Sequence, residues 1–108
     1  MAPTQLEIKV KALQRLVKEH SYYQQELKDQ KSHVDAMQKD PQVDSYDLKK
    51  QVEVLQDTER LLPTLYKKIG EFKENLEQYV ASYDGSEPTE EAKQATTKAT
   101  ELLASVKN

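Results

Sequence analysis

Six residues set the frame for this chain: Leu48, Leu55, Leu62, Ile69, Leu76 and Tyr83 recur at every seventh position without a slip. That spacing keeps side chains on one stripe of an α-helix, whereas a half-buried strand would alternate at every second residue. The frame holds on both sides of Pro63. A proline inside a helix removes one hydrogen bond and presses its ring on the carbonyl four residues back, here that of Glu59, at a cost of about 3 kcal/mol. A helix that ended at Leu62 and restarted after a loop would have no reason to keep register. The spacing therefore predicts one helix over about 45–83, kinked at Pro63. At about 1.5 Å per residue it is about 60 Å long. Asp44-Ser45-Tyr46-Asp47 supplies short polar side chains to cap its start. Asp84-Gly85 supplies the stop, with glycine in the left-handed terminal position.

A second column precedes it: Leu6, Leu13, His20, Leu27 and Val34, flanked by Val10 and Val17 on one side and by Leu16, Tyr23 and Met37 on the other. Thr4-Gln5-Leu6-Glu7 has the form of a capping box. Asp40-Pro41 ends the helix, because the residue before proline is pushed out of helical conformation. This predicts a first helix over about 5–39. Ser86-Glu87-Pro88-Thr89-Glu90-Glu91 opens a third, expected over 87–106, with proline in the first turn and carboxylates at the positive end of the dipole. Its inner face, Ala92, Ala95, Ala99, Leu102 and Val106, is thin, and its tail is expected to fray. A connection of about four residues makes the two long helices antiparallel neighbours. With the turn near Pro41-Gln42, facing residues have numbers that sum to about 84. The third helix is half as long and covers the end where the first begins and the second finishes. There Tyr66, Phe72, Tyr79 and Val80 broaden the apolar arc of the second helix. The expected fold is all-α: a single-domain antiparallel three-helix bundle or coiled coil over residues 1–108, with a bare two-helix hairpin at its other end.

Composition agrees with narrow stripes. Leu, Ile, Val and Phe make up 23 of 108 residues, barely above the ~20% below which chains tend to be disordered. Two glycines argue against a loop-rich or β-rich fold. Without cysteine there is neither a disulfide framework nor a thiolate metal site. No apolar run approaches the roughly 18 residues of a membrane span, and the first residues have no signal-peptide core. A soluble intracellular protein is expected, with no membrane partner. A net charge of −3 speaks against nucleic acid as the main partner.

Residues suited to catalysis do not cluster. His20 lies in the inward column and His33 beside it, neither with a partner histidine four residues away, so they read as seam residues and not metal ligands. Gly70 and Gly85 form no phosphate loop. The pairs Lys49-Lys50 and Lys67-Lys68 read as solvated helix faces. One surface stripe is more informative. Lys11, Arg15, Lys18 and Tyr22 step by four, three and four residues, about half a turn from the Leu13–His20 column. They form a basic stripe that ends in an outward tyrosine, a pattern suited to a protein contact.

By spacing alone, the heptads fit a homodimeric coiled coil, a spectrin-like repeat, a vesicle-fusion accessory domain or a chaperone. The residues themselves narrow this. IKVKALQRLVKE (Ile8–Glu19), YYQQELKDQ (Tyr22–Gln30) and YDLKKQVEVLQDTERLLP (Tyr46–Pro63), with its late proline, together resemble the tubulin-binding cofactor A family over about residues 5–83. The resemblance weakens in the alanine-rich third helix. It implies a three-helix bundle that is not an enzyme and needs no cofactor, metal or nucleotide. Its partner would be β-tubulin, captured after release from the cytosolic chaperonin, kept from assembling, and handed to further tubulin-folding cofactors for joining to α-tubulin. It also implies a cytoplasmic, cytoskeleton-associated protein. The basic stripe Lys11, Arg15, Lys18 and Tyr22 is then the first candidate for contact, because β-tubulin is acidic. The solvent side of the second helix around Lys50, Glu53, Asp57 and Arg60 is the alternative. A homodimer that forms through the hairpin end stays open, although His20, Gln24 and Lys31 interrupt a uniform seam on the first helix.

Overall fold

A computed structural model describes residues 2–106. Among them are three helices and no strand: α1 (Gln5–Lys39), α2 (Ser45–Ala81) and α3 (Glu90–Ala104). α1 starts where a side-chain acceptor is available. The Glu7 amide donates to Thr4 Oγ1 at 3.2 Å, and the Ile8 amide donates to the Thr4 carbonyl at 3.0 Å. It ends before Pro41, where Asp40 organises the turn: its Oδ1 accepts from the Gln42 amide at 2.9 Å and its carbonyl accepts from the Val43 amide at 3.2 Å. Asp44 then caps α2 by accepting from the amides of Tyr46 and Asp47 at 2.8 and 3.3 Å. α2 continues through Pro63 without a break. The heptad frame thus holds the helix together even where its ladder lacks a donor.

The end of α2 and the start of α3 differ from expectation. α2 stops at Ala81, two residues before Tyr83, where the Ser82 hydroxyl turns back onto the carbonyls of Gln78 and Tyr79 at 3.3 and 3.4 Å. Gly85 has no positive φ. Its lack of a side chain matters for space instead, because a Cβ there would overlap the outer end of the Tyr83 ring unless that ring shifted. α3 begins at Glu90, not at residue 87, because Glu87 is engaged elsewhere. Its carboxylate accepts from Thr4 Oγ1 at 3.0 Å and from the Tyr83 hydroxyl at 3.4 Å, and its amide donates to the Tyr83 oxygen. This knot ties the α2–α3 connection to the cap of α1, so residues 87–89 stay outside the helix. Val106 also lies beyond α3, which ends at Ala104. The expected helix thus loses its last two positions, Ser105 and Val106.

The chain divides into two compact units, one of residues up to Glu19 together with those from Leu65 onward, the other of His20–Thr64. In the first, parts of α1 and α2 meet α3. Leu6, Val10, Leu13, Leu65, Ile69 and Leu76 are buried together with Ala92, Ala95 and Ala99. Alanine allows α3 to approach closely at little side-chain entropy. Lys9 Nζ lies 2.7 Å from Asn75 Oδ1, a pair in the anticipated antiparallel register. The second unit is a hairpin of α1 and α2 with a thinner core: His20, Leu27, Val34 and Thr58. Thr58 satisfies its hydroxyl on the Val54 carbonyl at 3.2 Å. All five residues of the first column are buried, but only Ile69 and Leu76 of the second; Leu48, Leu55, Leu62 and Tyr83 are half-buried.

Candidate functional site

Lys11, Arg15 and Lys18 are exposed on the part of α1 that belongs to the first unit. Tyr22, 63% exposed, follows on the same helix in the second unit. Lys11 and Arg15 make no ion pair with any described residue. Both are therefore available to an external anion.

The residues expected on α2, Lys50, Glu53, Asp57 and Arg60, are also exposed, within the second unit. Their charges are largely used locally. Arg60 pairs with Asp57 at 3.1 Å, and Lys50 Nζ sits 5.2 Å from the centre of the Tyr46 ring. The structure adds Tyr46, Val54 and Leu61, all large, apolar and exposed on the same helix. Sequence reasoning passed over them because they fall outside the heptad column, and a scattered exposed apolar residue on a helix is ordinary. Their helical spacing, read against the column, was the signal that could have found them.

The first unit also holds a groove that sequence reasoning missed. It has a volume of about 380 Å³ and is lined by Ile8, Lys9 and Ala12 of α1 and by Glu71, Phe72 and Asn75 of α2. Phe72 was expected to broaden the inward arc, but it is 42% exposed, and Ile8 is 54% exposed. Both sit just off their columns and so reach the groove and not the core. Lys9, in the lining, donates to Asn75 Oδ1 and places its ammonium 5.4 Å from the centre of the Tyr79 ring. A second groove, of about 280 Å³, lies between α2 and α3 and is lined by Glu77, Val80, Ala81, Ala92, Lys93 and Thr96.

Titratable chemistry is sparse. The pKa of His20 is lowered below its ordinary value of 6.5 by burial, which favours the neutral imidazole. Among the described residues no three His, Asp or Glu side chains gather in a way that could hold a metal ion. No helix there is long and apolar enough to cross a membrane.

These features define a small all-helical bundle whose distinctive groups lie on its surface. The family model described as tubulin binding cofactor A matches residues 1–103. The chain is 65% identical to the tubulin-specific chaperone A of Saccharomyces cerevisiae over 105 residues, covering 97% of this chain and 99% of the relative. Its counterpart in Mus musculus is 33% identical over 91 residues, covering 84% and 83%. A solved structure of Rbl2p, a β-tubulin binding post-chaperonin cofactor, superposes with a TM-score of 0.90 at 64% identity, covering 94% of this chain and all of the other. The chain belongs to the tubulin-binding cofactor A family.

Proposed function

We propose that this protein is a tubulin-folding cofactor. It captures β-tubulin monomers after their release from the chaperonin and holds them, in the cytoplasm, for further cofactors and for assembly with α-tubulin. The observation that carries the reading is end-to-end similarity to a chaperone and a cofactor named for tubulin: 65% identity over 97% of the chain and a TM-score of 0.90. Capture by surface suits a bundle whose distinctive groups are exposed side chains. The protein acts as a stoichiometric holder, with no chemical step of its own.

The contact runs through α1. Lys11 and Arg15, unpaired among the described residues, and exposed Lys18 steer an acidic client, and Tyr22 adds an apolar contact further along the helix. The α2 set supports steering less well, because Arg60 is committed to Asp57, and Glu53 and Asp57 cancel the field of Lys50 and Arg60. The test mixes the protein with dissociated tubulin and follows β-tubulin on a sizing column. Co-elution of β-tubulin with the protein supports the reading, and β-tubulin that elutes unchanged refutes it. Reversing Lys11, Arg15 and Lys18 to glutamate should slow association and flatten its salt dependence with helicity intact. Unchanged capture by the triple variant would move the contact to α2.

A further inference from the structure

The groove of the first unit is a vacant helix position. Its apolar floor is Ile8 and Ala12 from α1 and Phe72 from α2. Ile8 and Phe72 keep 54% and 42% of their surface in water, in a chain only 36% apolar. α3 does not cover them. No α3 residue lines this groove; α3 instead borders the second one, where Ala92, Lys93 and Thr96 share the lining with Glu77, Val80 and Ala81 of α2. The Ile8–Phe72 groove is therefore where a fourth helix would lie across α1 and α2.

The charges around it select the occupant. Lys11 lies one turn along α1 from Ile8, Arg15 one turn from Ala12, and Lys68 one turn before Phe72 on α2; all three are exposed. None of them makes an ion pair with a described residue. Glu71 is the one carboxylate among the lining residues, and Lys9 is already held by Asn75. A basic helix would place its cations against three others, whereas an acidic one would neutralise them.

We propose that this groove receives an amphipathic helix of the client, with apolar side chains on one face and carboxylates flanking them. The apolar face covers Ile8, Ala12 and Phe72, and the carboxylates reach Lys11, Arg15 and Lys68. This is the helix-in-groove mode of recognition, in which apolar burial supplies affinity and flanking charge sets orientation. The inference rests on the reading that β-tubulin is the client, and it specifies the chemistry of the segment that is held.

The experiment uses purified β-tubulin and the full chain with a photo-crosslinking benzoylphenylalanine in place of Phe72, and a second sample with it in place of Tyr46. Illumination of the captured complex should join position 72 to a helical, carboxylate-flanked segment of β-tubulin. Phe72→Gln, with helicity checked by circular dichroism, should weaken capture by about tenfold or more, the share expected for losing most of one buried aromatic contact. Lys68→Glu should weaken capture and reduce its salt dependence. If the parent captures β-tubulin but position 72 forms no crosslink, or joins a basic or non-helical segment, the groove proposal falls and the client stands. Capture undiminished in Phe72→Gln has the same meaning. A parent chain that captures no β-tubulin overturns both.

Discussion

Leu76 and Leu55 occupy the same heptad column three repeats apart, yet their environments differ. Leu76 is 0% exposed in the first unit, and Leu55 is half-buried in the second. Truncation to alanine removes three carbons, worth about 2.4 kcal/mol at roughly 0.8 kcal/mol per buried methylene. At Leu76 an enclosed cavity adds to this, so Leu76→Ala should cost about 3 kcal/mol or somewhat more. At Leu55 about half the transfer energy is at stake and no closed cavity forms, so Leu55→Ala should cost about 1 kcal/mol. Against a total of roughly 5–15 kcal/mol for a domain, the first change removes a large share of the stability. Urea unfolding followed by circular dichroism resolves the two. With a slope near 1.5 kcal/mol per molar, the midpoint should fall by about 2 M for Leu76→Ala and by about 0.7 M for Leu55→Ala, with the slope unchanged. Equal shifts, or a larger one for Leu55→Ala, would mean that column membership sets the energetics and burial does not.

Pro63→Ala restores an amide donor to the Glu59 carbonyl on an exposed stretch of α2, so the variant should melt at or above the parent temperature, with at most about 3 kcal/mol gained. If a bend at Pro63 shapes the gripping surface, the same variant should bind β-tubulin less well. Binding as tight as that of the parent would leave Pro63 a packing device. Because burial lowers the pKa of His20, the unfolded chain takes up that proton first as pH falls below about 6.5, so stability should decline from there until the folded imidazole also protonates. His20→Leu removes this contribution, and its stability should fall less steeply over that window; parallel pH profiles would refute the assignment. Asp44→Ala removes the acceptor for the Tyr46 and Asp47 amides and should cost about 1 kcal/mol in urea unfolding. Amides of 20–39 and 45–64, built on the thinner core, should exchange with deuterium faster than those of 65–81, and uniform protection would contradict the uneven core.

Much of the architecture is written in one dimension. Heptad columns, Thr4, Asp44 and Pro41 mark helix existence, phase and most boundaries, because caps and stripe periodicity act within a few residues of the chain. The antiparallel register, marked by Lys9 and Asn75, follows from the length of the connection. Family membership was legible too, because IKVKALQRLVKE and YDLKKQVEVLQDTERLLP are specific strings. The start of α3 was not, because Glu87 gives up a helical position to bind Thr4, 83 residues away in the chain. Nor was the role of Gly85, which depends on where the Tyr83 ring comes to rest. The column of α2 could not show that Ile69 and Leu76 are enclosed while Leu48 and Leu55 are half open, because periodicity reports only which side of a helix is apolar. How much of that side is covered depends on the neighbours that arrive there. For the same reason Phe72 looked like an ordinary member of a broad apolar arc and Ile8 belonged to no column, and only two helices packed side by side turn them into a groove.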